Sequence, residues 1–446
     1  MRIALLSCYE LGHQPQGLAM PLAFLERAGY QPVVQDLAIE RLDDELIRSA
    51  DFVGISVPMH TALRLGVRVA ARVRELSPSV HLCLFGLYAP LNEAYLRASG
   101  ADSVLGGEYE AELVALIDRV GAGVRDGVVP AVSLAKLGFP EPQRARLPQL
   151  DRYAKLIRDG RAHVAGYTET SRGCLHMCRH CPIPPVYGGR FFVVPVATVV
   201  ADIAALVERG AEHVTFGDPD FFNGPGHGMA IVRELHRRWP ALTFDVTIKI
   251  SHLIAHRALL PELASLGCAF VVSAVESLDD GVLARLDKGH TRADFEQALA
   301  LVRDAGLVLR PTFVPFTPWT TLDQIADLVD VLADEDLIGC IDPVQLSIRL
   351  LVPPGSLLLG PDTRDAFGEL DRAALSYRWT HADPRVDRLQ QEIAAIAAEA
   401  AETRLDPAIA FERIRERVHA ACGRPAVPTA ASTRPPPPRL SESWFC

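Results

Sequence analysis

Three cysteines, Cys174, Cys178 and Cys181, fall within eight positions of the stretch SRGCLHMCRHCPIPPVYGGR, residues 171–190. His176 and His180 lie among them, and Arg172 and Arg179 flank them. Thiolates are soft donors, and at this spacing they select zinc or an iron–sulfur cluster. A structural zinc site closes with four protein ligands. His176 or His180 is available as the fourth, but no second cysteine knuckle lies nearby, because Cys268 and Cys340 belong to later strand regions. Three thiolates on a four-iron cluster instead leave one iron open to an outside ligand, which suits catalysis better than electron carriage alone. The competing readings are a non-catalytic zinc or soft-metal binding protein and a chance grouping of packing cysteines.

The elements around the trio give it a place. Apolar runs at 166–171, 213–221, 242–250, 268–277, 307–316 and 344–352 alternate with helical patterns such as 196–210 and 291–306. Six β/α repeats are two short of a closed barrel. They predict a partial (β/α)6 TIM barrel over 166–360 with its active face at the C-terminal strand ends. The cysteines follow its first strand, so they belong to the first βα loop. Upstream, short apolar strands at 2–7, 31–37, 50–58, 81–86 and 101–107 alternate with amphipathic helices. Residues 1–120 therefore read as a doubly wound α/β (Rossmann) domain with a parallel sheet covered on both faces. Residues 121–165 read as a proline-punctuated connector and 361–422 as an alanine-rich helical region. The Pro-rich stretch 423–446 reads as an extended, mobile tail.

Bulk properties narrow the function. A chain of 446 residues exceeds one hydrophobic core. Net charge is −10 with no Lys/Arg block, which argues against nucleic acid or an acidic membrane face as the main partner. The N-terminus MRIALLSCYE reads as a strand without the features of a signal peptide. No apolar run reaches the about 18 residues of a membrane span. A cytoplasmic location is expected, with the nine cysteines serving as thiols or metal ligands rather than disulfides.

Cys-x3-Cys-x2-Cys after strand one of a six-fold β/α repeat resembles the radical S-adenosylmethionine (SAM) superfamily over about 166–352. The resemblance implies a [4Fe–4S] cluster on Cys174, Cys178 and Cys181, with SAM chelated at the open iron. It further implies reductive cleavage of SAM, radical chemistry on a small-molecule substrate, and an electron donor such as flavodoxin or ferredoxin. Asp218 in FGDPDF (216–221) is then placed near the SAM amine, although the usual Gly-Gly-Glu is absent; the plain alternative is a turn built by Gly217 and Pro219. The segment SAVESLDDGVLARLDKGHT (273–291) resembles strand four of cobalamin-domain members, which implies that Ser273 and Glu276 face SAM. Ser277 or Asp279 is a candidate helix cap there. Arg310 on strand five is placed toward the SAM carboxylate, with a strand-end salt bridge as the alternative. Tyr187 and Arg190 are expected beside the cluster, and Gly188-Gly189 permits close backbone approach.

The first domain resembles cobalamin-binding domains through SVPMHTALRLG (56–66) and GGEYEAEL (106–113), so cobalamin is a possible cofactor. It carries no Asp-x-His-x-x-Gly, so no lower axial histidine is implied. His60 and Tyr9 are strand-end residues that either face a ligand or serve as ordinary loop residues. CRHCPIPPVYGGR, GDPDFFNG and SESWFC are similar to radical SAM proteins with a Cys-Sec-Ala-Glu-Pro or Cys-Cys-Ala-Glu-Pro tail. That likeness makes Cys446 a catalytic or substrate-capturing thiol and the first residue of the tail motif, followed by a UGA selenocysteine codon read as stop. The arsinothricin-type enzymes are also similar, implying as an alternative 3-amino-3-carboxypropyl transfer to a thiophilic acceptor such as trivalent arsenic. An RNA-modifying methylthiotransferase is a third reading, against which the acidic balance speaks.

Overall fold

The structure, a computed structural model, describes residues 1–124, 131–425 and 435–442. The N-terminal sheet holds β1 (Ile3–Ser7), β2 (Val33–Asp36), β3 (Phe52–Ser56), β4 (His81–Phe85), β5 (Ser103–Gly107) and β6 (Val132–Ser133). All its pairings are parallel, in the order β2-β1-β3-β4-β5-β6. β1, β3 and β5 are buried at every position, as strands covered on both faces must be. The order reverses at β1, so a crevice opens at the C-terminal ends of β1 and β3. β6 comes from the segment expected to be only a connector.

The second sheet starts from a hairpin, β7 (Lys155–Arg158) and β8 (Arg161–Thr168), also drawn largely from that connector. A short antiparallel ladder follows, β9 (Ser171–Gly173) with β10 (Phe191–Val193). Then come β11 (His213–Phe216), β12 (Thr243–Thr247), β13 (Cys268–Glu276) and β14 (Leu309–Phe313). β8 and β11–β14 form a parallel series in chain order. Helices such as Val196–Glu208, Arg292–Asp304 and Leu322–Asp334 cover its outer face, the last two each opened by a threonine capping box. The sixth strand expected at 344–352 is reduced to a single parallel bridge, Phe316 to Arg349. Pro343–Ser347 forms a 3-10 helix instead, because Pro343 cannot donate to a ladder. The helical region is also shorter than expected. It begins at Pro384, after a two-stranded hairpin, and comprises Pro384–Thr403 and Pro407–Ala421. Among the described residues no helix is long and apolar enough to cross a membrane.

Part of the tail is docked rather than free. Arg439 and Leu440 pair antiparallel with Ile157 and Leu156 on the outer edge of β7. One residue earlier, the Pro438 carbonyl accepts from Arg310 of β14 at 3.4 Å. The two far edges of the second sheet are thus joined by one short strand, which requires the sheet to curl into an incomplete barrel. Beyond the strand, Glu442 accepts a hydrogen bond from Tyr9 at 2.5 Å and lies against Gly12, where a Cβ would meet its carboxylate at 2.0 Å. Proline-rich chain serves here because an edge partner needs few backbone donors. Truncation after Arg424 is expected to speed exchange of the Lys155 amide, which donates to Ser441 Oγ at 2.9 Å, by roughly fivefold to tenfold. Hydrogen exchange by mass spectrometry over 153–158 checks this, and unchanged exchange would contradict the docking.

Candidate functional site

The cysteine loop is positioned from β8 through Thr168 and β9. Gly173 sits at φ +74°, where a Cβ would meet the Arg190 carbonyl at 2.4 Å and the Tyr187 ring at 2.6 Å. Glycine is therefore required one residue before the first thiol. Cys174 and Cys178 are buried and Cys181 is half-buried. Backbone N–H groups of His176 and Ile183 point at the sulfurs of Cys174 and Cys181, and Asn223 Oδ1 accepts from Leu175 N at 3.3 Å. Burial pushes the Cys181 thiol up to about 12 and also raises that of Cys174, with Cys178 adding to both. Burial thus favours the neutral thiol at Cys174 and Cys181, and a bound cation must supply the charge that makes these two thiolates.

One buried ion pair lies beside the trio. Lys288 Nζ is 3.2 Å from Glu276 Oε1, and His180 Nε2 is 3.2 Å from the same oxygen. Burial alone would raise the Glu276 pKa, but Lys288 and His180 outweigh it and hold the carboxyl near 2. Burial likewise works against the Lys288 ammonium, and Glu276, Cys178 and Cys181 outweigh it. Lys288 is therefore a cation beside Cys178 and Cys181. Glu276 adopts φ +70° at a register shift of β13 against β14. A left-handed conformation is costly for a glutamate, and such strain is found where a side chain must be aimed.

The other residues expected from the sequence go to different places. Asp218 is buried and saturated: it accepts from Thr170 N at 2.9 Å, Thr170 Oγ1 at 2.6 Å and Ser171 Oγ at 2.5 Å. It braces the entry to the cysteine loop. Ser273 shares its strand face with Val271 and Val275, toward the helical layer, away from the face of Phe270. Arg310 lies over the Phe270 ring and near Asp342 at 3.4 Å, with Gly339 and Pro438 carbonyls beside it. Arg172 binds Glu110 at 2.6 Å and Glu169 at 3.0 Å, and Tyr187 donates to Glu108 at 3.2 Å. These two tie the cysteine loop to the end of β5. Arg179 makes a two-pronged pair with Asp362. Asp279 caps the helix Asp280–Leu286, as one of the two candidate caps was expected to do. His60 is hydrogen-bonded to the Ala374 carbonyl at 2.8 Å and Tyr9 to Glu442, so polypeptide occupies both. Cys446 lies outside the described residues.

Sequence reasoning passed over Lys288, Asp220 and Lys249. Lys288 stands in the quoted LDKGH, and a lysine that soon after a strand-end glutamate is the signal that was there to read. Lys249 follows β12 at the C-terminal strand ends, with its backbone N–H on Asp220.

Residues 168–332, which contain the trio, Glu276 and Lys288, match the family profile of the Radical SAM superfamily. The barrel is a radical SAM domain. The radical SAM methyltransferase TsrM from Kitasatospora setae, solved with cobalamin and a [4Fe–4S] cluster bound, superposes with a TM-score of 0.59 at 20% identity, over 75% of this chain and 70% of that one. The cobalamin-dependent SAM radical enzyme OxsB superposes with a TM-score of 0.64 at 15% identity, over 90% of this chain and 66% of that one. These likenesses in fold take in the N-terminal sheet as well. By sequence, the chain is 23% identical over 344 residues to MJ0865 of Methanocaldococcus jannaschii, a protein named for methylthiotransferase activity, covering 72% of each. It is 24% identical to the tRNA-2-methylthio-N(6)-dimethylallyladenosine synthase of Chlorobium luteolum over 48% of this chain and 45% of that one. The chain thus carries a radical SAM domain over residues 168–332, and such a domain implies a [4Fe–4S] cluster and SAM.

Proposed function

We propose that Cys174, Cys178 and Cys181 hold the [4Fe–4S] cluster and that one iron is left for SAM. A single zinc ion at about 2.3 Å from each sulfur would gather the three within about 3.8 Å of one another. Among the described residues the thiols are not gathered even within 4.8 Å, whereas a set of imidazoles and a carboxylate is. Sulfurs spread in this way suit a cluster, in which each thiolate binds its own iron. The match of this stretch to the radical SAM family profile is the observation that carries the reading. When bound, the cluster supplies the electron that breaks a C–S bond of SAM. Lys288 offsets thiolate charge. Glu276, ionised and aimed, accepts the cationic end of SAM. Of the four side chains expected to meet SAM, Glu276 is the one whose placement supports that role; Asp218 and Arg310 act as braces, and Ser273 faces the helical layer.

The parallel N-terminal sheet and its crevice support cobalamin as a second cofactor. His60 and Tyr9 are committed to polypeptide, so cobalamin would take no axial ligand from either. The substrate is a small molecule, reduction comes from a flavodoxin or ferredoxin, and Cys446, outside the described residues, acts as a catalytic or substrate-capturing thiol. The low-identity methylthiotransferase relatives favour a second reading, transfer of a methylthio group. Products of SAM under dithionite, with and without hydroxocobalamin, test these readings. 5′-Deoxyadenosine marks hydrogen abstraction, S-adenosylhomocysteine marks methyl transfer, and methylthioadenosine marks aminocarboxypropyl transfer. SAM left intact by iron-loaded protein would overturn the proposal.

Glu276→Gln is expected to keep iron and sulfide while weakening SAM binding about tenfold, the worth of one charge-assisted contact. Equilibrium dialysis checks it. The Glu276 pKa lies below its unfolded value, so its contribution to stability is present above about pH 4.5 and is lost as pH falls toward 2. The variant should therefore lack that part of the acid limb of the unfolding curve.

A further inference from the structure

We propose that His176, Asp220 and His252 form a second metal site, mononuclear, for a divalent ion of the zinc class with a coordination position left open. The three residues come from separate elements. His176 lies in the cysteine loop, Asp220 in the turn after β11, and His252 in the helix Ile250–Ala255 after β12. Asp220 Oδ2 stands 2.7 Å from His252 Nδ1 and 3.3 Å from His176 Nε2, and the three atoms lie within 4.8 Å of one another. Each of the three is buried and has no hydrogen-bond partner. The contacts pair each imidazole with the carboxylate at short range, yet neither is aligned as a well-formed hydrogen bond. Donor atoms that crowd together without pointing at one another are arranged as ligands around a shared centre. A buried polar atom left unmet is costly, and three at one point call for an occupant.

The surroundings hold the set in place. Asp220 Oδ1 accepts from Phe222 N at 3.2 Å and Lys249 N at 3.4 Å, which leaves Oδ2 as the ligating oxygen. This backbone support of a ligating carboxylate is what a metal site uses to fix its ligands. The His252 ring packs on His256, with centroids 5.6 Å apart, and His256 packs on Phe222. Two imidazoles and one carboxylate suit zinc, iron, nickel or copper and disfavour magnesium and calcium. Three protein ligands are the number found where a metal also takes water or substrate. The site needs none of the three thiols, so it stands or falls independently of the cluster. It would pin the turns after β11 and β12 to the cysteine loop and present a Lewis-acidic ion beside it.

The test uses the full chain, reconstituted without oxygen, desalted and given one equivalent of zinc chloride. Bound zinc is expected at about one per chain in addition to iron, with only nitrogen and oxygen scatterers at about 2.0–2.1 Å in the zinc K-edge spectrum. Asp220→Asn and His252→Gln should each remove most of the zinc, while iron and sulfide, counted on the same samples, stay at the level of the parent and report an intact fold. No zinc uptake by the parent would overturn the proposal. So would sulfur scatterers, or zinc retained in both variants.

Discussion

Cys178→Ala is expected to emerge from anaerobic reconstitution with iron reduced from about four per chain to below about one, and without SAM cleavage above background. The middle thiol of the trio has no substitute nearby. Among the described residues, the remaining cysteines are dispersed: Cys8 just after β1, Cys83 on β4, Cys268 on β13, Cys340 in the Ile338–Cys340 turn and Cys422 at the end of the helix Pro407–Ala421. His180 is engaged with Glu276 and His176 with Asp220, so neither is placed to take over. The change costs little packing, which separates it from a folding defect. Unchanged far-UV dichroism together with lost iron is the predicted pair of observations, measured by chemical iron and sulfide assays. Retained iron would remove Cys178 from the ligand set.

Arg144→Met is expected to destabilise the chain by about 3–5 kcal/mol, the usual cost of breaking a buried ion pair from one side. Arg144 and Asp202 are each 1% exposed and meet at 2.9 Å. The guanidinium also donates to Gln16 at 2.6 Å and to the Tyr167 carbonyl at 2.8 Å. A single cation thus joins the N-terminal unit, β8 and the helix Val196–Glu208. Its loss strands the Asp202 carboxylate, which among the described residues keeps the hydrogen bond from Thr168 Oγ1 at 2.7 Å. Thr168 ends β8, directly ahead of the cysteine loop. The urea midpoint should fall, and iron should be lost more readily than from the parent on mild warming. Arg144→Met with Asp202→Leu together should recover much of the loss, because the uncompensated charge is then gone. An unchanged midpoint in the single variant would contradict the central role of the pair.

The fold was largely legible because its signals are local. Continuous apolar strands such as ALLS and VGIS, each followed by an amphipathic helix, can pack in few ways other than as parallel strands between helices. The spacing of Cys174, Cys178 and Cys181 is local too. What escaped depends on distant partners. The apolar run 344–352 has strand composition, but Pro343 and the neighbouring C-terminal helices turn its start into a 3-10 helix. Proline-rich 435–438 carries no packing signal of its own, and its docking requires the free edge of β7 and the Arg310 side chain. Asp218 and Asp220 are chemically alike and two residues apart. One turns back to Thr170 and Ser171, the other toward two histidines, and only the path of the chain after β11 separates them. Ser273 and Glu276 were read as a pair, yet the irregular end of β13 sends them to different surroundings.

The most direct measurement is electron paramagnetic resonance of the dithionite-reduced, iron-loaded chain before and after SAM is added. A reduced-cluster signal whose g-values shift on adding SAM is the predicted result, because the nucleotide would bind the iron that the three cysteines leave open. A colourless, iron-free protein, or a signal that SAM leaves unaltered, would contradict it.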